Sequence, residues 1–245
     1  MRNIRLDLCY DGTRYRGWQR QPGVENTIQG KLETALSRIL GEPIEVYGSG
    51  RTDAGVHALH QVASFRCEST MPAEQMLSEL RHYLPDDIGV LGLKQAGDRF
   101  HARYNALRKT YRYRIWNSPE PCVFERRYVT VEEEPLDVAA MEKAAACFLG
   151  QHDFSSFVNH KSRDKSGVRH IFFLDVTKHG NYIDLTVCGS GFMRNMVRIL
   201  AGTLIEVGMG KRDPDSIPQL FEEGVRAQAG FLAPAQGLSL LEVEY

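Results

Sequence analysis

The chain has 245 residues, 42% of them apolar and 25% charged, with a net charge of −1. That balance is ordinary for a soluble globular protein with a substantial core, in one large domain or two small ones. No apolar run approaches the ~20 residues of a membrane span, the N-terminus lacks a signal-peptide core, and the five cysteines contain no CxxC pair, which argues against a disulfide framework or a cysteine zinc site and for the cytoplasm.

In chain order, residues 3–10 alternate as a strand, and Asp11-Gly12-Thr13 turns it. Ile28, Leu32, Ala35, Leu36 and Ile39 recur at the helical period, predicting a helix over 27–40 that Gly41 ends. Strands follow at 44–48 and 59–66. Pro72 starts a helix and Pro85 stops it, with Met76, Leu77, Leu80 and Leu84 on its apolar side. A strand over 87–95 completes a strand-helix-strand-strand-helix-strand order, that of a ferredoxin-like unit.

Near Asp98-Arg99-Phe100 the chain turns basic, which places a domain boundary there. A strand over 108–117 puts Tyr111, Tyr113 and Ile115 on one face and Arg112, Arg114 and Trp116 on the other. A helix over 137–149 has Asp137 as N-cap and Gly150 past its end. Residues 151–169 read as a long polar loop, functional or mobile. Strands at 170–178 and 182–188 flank a hairpin turn at Gly180-Asn181. A helix over 191–207 ends at Gly208, and the last strand spans about 238–244. The second half thus repeats the element order of the first. The expected fold is α+β: two ferredoxin-like (βαββαβ) halves, 1–100 and 101–245, with mainly antiparallel sheets, helices on one side and a cleft between the halves.

Charge is segregated along the chain. Arg99 to Arg114 carries six arginines and lysines and no acid; Arg14, Arg16 and Arg20 lie near Tyr15 and Trp18; and His160-Lys161-Ser162-Arg163-Asp164-Lys165 forms a third basic tract. Such tracts, interleaved with aromatics, can offer a positive face to a polyanion despite the near-zero total.

The chemically conspicuous stretch is Tyr47-Gly48-Ser49-Gly50-Arg51-Thr52-Asp53-Ala54-Gly55-Val56-His57-Ala58, a glycine-rich loop at a strand end that presents Asp53. By itself it also reads as a plain turn. Gly50-x-x-x-x-Gly55 has P-loop glycine spacing, but Val56-His57 replaces the required Lys-Ser/Thr, and Gly48-x-Gly50 lacks the third glycine of a dinucleotide fingerprint. Asp53, His57 and His60 are candidate metal ligands, yet no second cluster completes a site, so no metal is expected. No Gly-x-Ser-x-Gly elbow is present. On the 191–207 helix Arg198 lies ~150° from the centre of the apolar stripe at 100° per residue, among Arg194, Ala201, Gly202 and Ile205. Small and apolar neighbours indicate a partly covered face, where an arginine needs an anionic partner; by itself Arg198 also reads as a surface or structural residue.

Gly50-Arg51-Thr52-Asp53-Ala54-Gly55-Val56-His57-Ala58 resembles the signature loop of the bacterial TruA family, the tRNA pseudouridine synthases of the anticodon stem-loop. Tyr10-Asp11-Gly12-Thr13 with Gly17-Trp18-Gln19-Arg20-Gln21, Phe100-His101-Ala102-Arg103, Tyr111-Arg112-Tyr113, and Met196-Val197-Arg198 with Gly202-Thr203-Leu204 agree with it. The resemblance runs from near residue 4 to Leu241 and departs mainly in 158–168. It implies cofactor-free isomerisation of uridine to pseudouridine at tRNA positions 38, 39 and 40, with Asp53 as nucleophile, Arg198 as its arginine partner and Tyr111 as the active-site tyrosine. Arg51 is a candidate for holding the flipped nucleotide. It further implies a cytoplasmic homodimer whose partner is tRNA, with no membrane or DNA partner. The geometric expectation is that the Asp53 carboxylate lies within salt-bridge reach of Arg198, with the Tyr111 ring bordering the same pocket. The competing reading is a non-catalytic RNA-binding protein built from ferredoxin-like modules, for which the basic, aromatic strand 108–117 argues and its missing RNP1 glycines argue against.

Overall fold

The structure is a computed structural model that describes residues 1–159 and 166–245. The basic tract His160 to Lys165 lies outside the described residues. The chain is α+β and divides into two compact units, Met1–Leu107 with Leu240–Tyr245, and Arg108–Ser239.

The first unit contains β1 (Arg2–Tyr10), α1 (Ile28–Leu40), β2 (Val46–Gly48), β3 (His57–Cys67), α2 (Ala73–Tyr83) and β4 (Ile88–Gln95). Its sheet places β1 between β4 and β3, with β2 also on β3, and all three pairings are antiparallel. Alternation along β1 buries Ile4, Leu6, Leu8 and Tyr10 completely or nearly so, the two-residue period of a strand with one core face. The helical period of α1 likewise buries Ile28, Leu32, Ala35 and Leu36. Thr27 caps α1 by accepting the Gly30 amide at 3.2 Å, and Gly41 ends it in a left-handed conformation at φ 71°. The β1–β3 register shifts between Leu8 and Tyr10, a bulge that re-aims the strand end carrying Tyr10.

The second unit contains β5 (Arg108–Asn117), β6 (Thr130–Glu132), α3 (Val138–Ala146), β7 (Gly150–Asp153), β8 (Val168–His179), β9 (Tyr182–Gly189), α4 (Met196–Gly208) and α5 (Ile217–Glu223). Its strands run β5-β9-β8-β7, antiparallel throughout, with β6 parallel to β5. Asp137 caps α3, accepting the Ala140 amide at 3.0 Å. The last strand, β10 (Leu238–Glu244), lies next to β3 in the first unit.

Several elements depart from the sequence expectations. The short strands β6 and β7 and the helix α5 are additional, so the second unit is richer than a repeat of the first. Residues 151–169 are not a uniform polar loop: β7 pairs with β8, and a 3₁₀ turn at Ser155–Phe157 buries Phe154 and Phe157 completely. The helix expected from 191 begins at Met196, because Asn195 has φ 64° and breaks the helical path. Helix α3 stops at Ala146 rather than near 149.

Candidate active site

Asp53 sits in the loop between β2 and β3, half-buried, with Arg51 exposed two residues earlier. The loop is fixed from several sides. Ser49 is fully buried, donating its amide to Val62 O at 2.7 Å and its hydroxyl to Gln61 Oε1. Thr52 is held twice: its Oγ1 lies 2.9 Å from the Tyr10 hydroxyl, and its carbonyl accepts the Trp18 amide at 3.0 Å. The Val56 amide closes the turn onto Asp53 O at 3.2 Å, with Gly55 at φ 80°. Burial pushes the Tyr10 hydroxyl pKa up to about 12, against opposing hydrogen bonds from Thr52 and Gln61. Tyr10 is therefore neutral and retains its proton at pH 7.

The 11–18 segment braces this loop. A Cβ on Gly12 would fall 1.9 Å from Val56 O, and one on Gly17, at φ 94°, would fall 2.7 Å from Thr52 O. Both positions need glycine for close backbone approach. Gly48 serves a packing role as well: a Cβ there would fall 2.5 Å from the Trp18 ring. The side of Gly48 that lacks a Cβ is therefore filled by the indole.

The two histidines after the loop are structurally engaged. His57 is 2% exposed and accepts the Gly12 amide on Nδ1 at 3.0 Å, with Asp11 Oδ1 at 3.2 Å. His60 Nε2 lies 3.1 Å from Asp7 Oδ1, on the strand face that also carries the Arg5–Asp7 pair. Among the described residues no group of three or more His, Cys, Asp or Glu side chains is arranged to hold a metal ion.

Tyr111 and Arg198 belong to the second unit, Asp53 and Arg51 to the first. Tyr111 is buried on β5 opposite Val187, its ring edge-on to Phe192 at 5.2 Å and 85°. Two residues on, Tyr113 is fully buried, and its hydroxyl contacts Thr130 Oγ1 and donates to Pro234 O at 3.0 Å. Burial raises the Tyr113 pKa, with the Thr130 hydrogen bond and then the Arg198 charge opposing it. On the other β5 face Arg114 grips Asp184 through two 2.7 Å bonds, and burial, then the Arg114 charge, lowers the Arg112 pKa.

Arg198 is half-buried on α4, whose second face is covered as the small residues around it imply: Ala201, Gly202 and Ile205 are buried. The cover is the segment 226–234, a 3₁₀ turn at Arg226–Gln228 followed by irregular chain. Arg198 Nε donates to Ala233 O at 2.7 Å, and the Ala233 amide returns to Arg198 O at 3.2 Å. Gly230 donates to Thr203 Oγ1, and Phe231 to Glu206 Oε1. Sequence reasoning missed this strap. Its available signal was Gly202, an isolated glycine in mid-helix where a Cβ would fall 2.0 Å from Phe231 O.

A family model described as tRNA pseudouridine synthase matches residues 9–105 and 144–245. The chain belongs to the tRNA pseudouridine synthase family. Full-length relatives agree. It is 45% identical to a tRNA pseudouridine synthase A 2 of Bacillus cereus and 46% identical to a tRNA pseudouridine synthase A of a Bacillus species, in both cases over 245 residues covering 100% of each chain. A tRNA pseudouridine synthase A 1 of Clostridium tetani is 46% identical with the same coverage. The resemblance drawn from the Asp53 loop and its companion motifs is thereby borne out at the level of family. The chain is an isomerase acting on tRNA, and the reading as a non-catalytic RNA-binding protein falls away. The two matched segments carry the Asp53 loop of the synthase and its α4 with the strap.

Proposed function

We propose that this synthase converts uridine to pseudouridine at positions 38, 39 and 40 of the tRNA anticodon stem-loop, with Asp53 as nucleophile. The observation that carries the reading is the rigid seating of Asp53: Thr52 is held through both side chain and carbonyl, and the turn closes onto Asp53 itself. A nucleophile must meet a flipped nucleotide in one geometry, and a loop braced on every side lowers the cost of holding it there.

In this reading Asp53 attacks C1′ of the ribose or C6 of the uracil. The C1′–N1 bond breaks, the uracil rotates, a C1′–C5 bond forms, and the C5 proton leaves while N1 gains one. The reaction neither consumes nor yields an electron pair, so it needs no redox partner. Arg198 is the cation that keeps the carboxylate ionised beside the base. Tyr111 stacks on the extruded uracil, which recovers part of the few kcal/mol spent on unstacking. Arg51, exposed at the loop's leading edge, holds the nucleotide's backbone. The enzyme acts in the cytoplasm as a homodimer whose basic faces sum to one RNA groove.

The test is tritium release from C5-labelled tRNA by wild type and Asp53→Ala. Loss of release with tRNA affinity retained is the expected result; full release by the variant removes Asp53 from the chemistry. Mapping pseudouridine in the product tRNA decides positions 38 to 40.

A further inference from the structure

The Phe100-His101-Ala102-Arg103 motif takes no part in the chemistry above, yet it is firmly held. The Phe100 ring lies 5.0 Å from the Tyr245 ring, and its carbonyl accepts from Asn3 Nδ2 at 2.8 Å. Ala102 is fully buried; its amide donates to Ser64 Oγ at 3.1 Å, and its carbonyl accepts the Tyr245 hydroxyl at 2.6 Å. Phe100 and Ala102 are thus anchors, and the residue after each is less buried: His101 is half-buried and Arg103 is exposed.

The turn that follows is also closed. The His101 amide donates to Asn105 Oδ1 at 2.7 Å, and the Asn105 amide to His101 O at 3.1 Å. The Arg103 amide donates to His101 Nδ1 at 3.1 Å, which fixes the imidazole plane. Two rings of this turn form a row with Tyr47 of β2. His101 lies 5.2 Å from Tyr47 and 4.4 Å from Tyr104, centroid to centroid. The outermost ring, Tyr104, is 77% exposed. Burial, reinforced by the Arg103 charge, lowers the His101 pKa, so the ring under Tyr104 is neutral at pH 7.

A ring held this exposed returns little to folding, since most of its apolar area still faces water. Its surroundings specify a ligand. Within the same unit, Arg99 and Arg103 are exposed and residues 99–107 carry no carboxylate, while Glu45 at the far end of the row accepts the Tyr47 hydroxyl, a local field suited to a polyanion. A flat, neutral ring beside cations matches the pairing of base and phosphate in unpaired RNA.

We infer that Tyr104, backed by His101, is a stacking platform for an unpaired base of the tRNA substrate, with Arg103 set against the adjoining phosphate. The inference rests on the tRNA reading of the family but involves no residue assigned to the chemistry. An exposed side chain at a turn tip can be truncated without opening the core, so the variants fold.

The experiment measures binding of an unmodified tRNA transcript by fluorescence anisotropy over a KCl series. Tyr104→Ala weakens binding ~5–150-fold, as expected for one stacked base, with an unchanged salt slope. Tyr104→Trp restores affinity. Arg103→Ala lowers the slope by about one, the signature of a phosphate contact. In turnover, the Tyr104→Ala loss falls more on KM than on kcat. Binding by Tyr104→Ala within about twofold of wild type, or an equal loss in Tyr104→Trp, overturns the platform. So does a change in oligomeric state with tRNA affinity retained, which assigns the ring to a protein contact. Pseudouridine formation by the same wild-type preparation separates the two claims. Binding without isomerisation refutes the activity, and isomerisation with normal Tyr104→Ala binding refutes the platform alone.

Discussion

The Tyr10 hydroxyl lies 2.9 Å from Thr52 Oγ1, one residue before Asp53. Both groups are buried, so this bond is the side-chain tether between the end of β1 and the loop. Tyr10→Phe leaves the Thr52 hydroxyl without that partner and costs about 1–3 kcal/mol. For a chain of this size that is roughly a 2–12 °C drop in Tm. Calorimetry reads the stability, and tritium release reads the accompanying fall in kcat. The double variant Tyr10→Phe/Thr52→Val recovers stability, because neither partner is then orphaned.

The same hydroxyl makes stability depend on alkali. An unfolded tyrosine ionises near pH 10, while Tyr10 in the fold keeps its proton to about 12. The folded pKa is the higher one, so this contribution is intact below pH 10 and is lost as pH rises towards 12, by about 3 kcal/mol. Urea midpoints measured between about pH 9 and 11 therefore fall more steeply for wild type than for Tyr10→Phe.

Gly12→Ala and Gly17→Ala strike the brace behind the loop. The new Cβ meets backbone in each case, Val56 O for the first and Thr52 O for the second, and Gly17 also sits at positive φ. Each variant loses about 1–3 kcal/mol, with kcat reduced more than KM rises. Gly41→Ala, at a helix end with open space around it, is the control: it loses stability and keeps kcat.

Arg198→Lys keeps the charge and loses the Nε bond to Ala233 O. Lysine presents a point charge in place of a fork, so kcat falls roughly 10–150-fold, the range for a hydrogen bond to a charged group. Steady-state kinetics on a tRNA transcript measures it. An unaffected kcat removes Arg198 from the reaction.

The sequence revealed most where periodicity and breakers coincided. β1, α1, α2 and β5 lie within a residue or two of their expected bounds, since each carries one apolar face that only one period fits. It revealed least where backbone geometry decides. Nothing in the run 191–195 marks Asn195 as left-handed, and an asparagine in that conformation moves a helix start by a turn. β6 and β7 are three and four residues long, too short for alternation to register. The α4 stripe was readable, and so was the covered second face around Arg198. The identity of the cover was not, because segment 226–234 has no period. For the candidate site, the Asp53 loop was visible through its glycines and charges. Its brace was not, because Gly12, Gly17 and Trp18 act through contacts that only the folded chain defines.

The order of synthesis acquires a meaning from the placement of β10. Residues 240–245 belong to the first unit, where β10 lies next to β3 and the Tyr245 hydroxyl reaches Ala102 O. A ribosome therefore releases the first 107 residues with part of one β3 edge unpaired, and that edge waits for some 130 further residues before its neighbour is made. An unpaired edge held open for that interval is a template for wrong pairing. Nascent chains stalled before Leu240 should engage chaperones and aggregate, and chains with the last strand free of the exit tunnel should not.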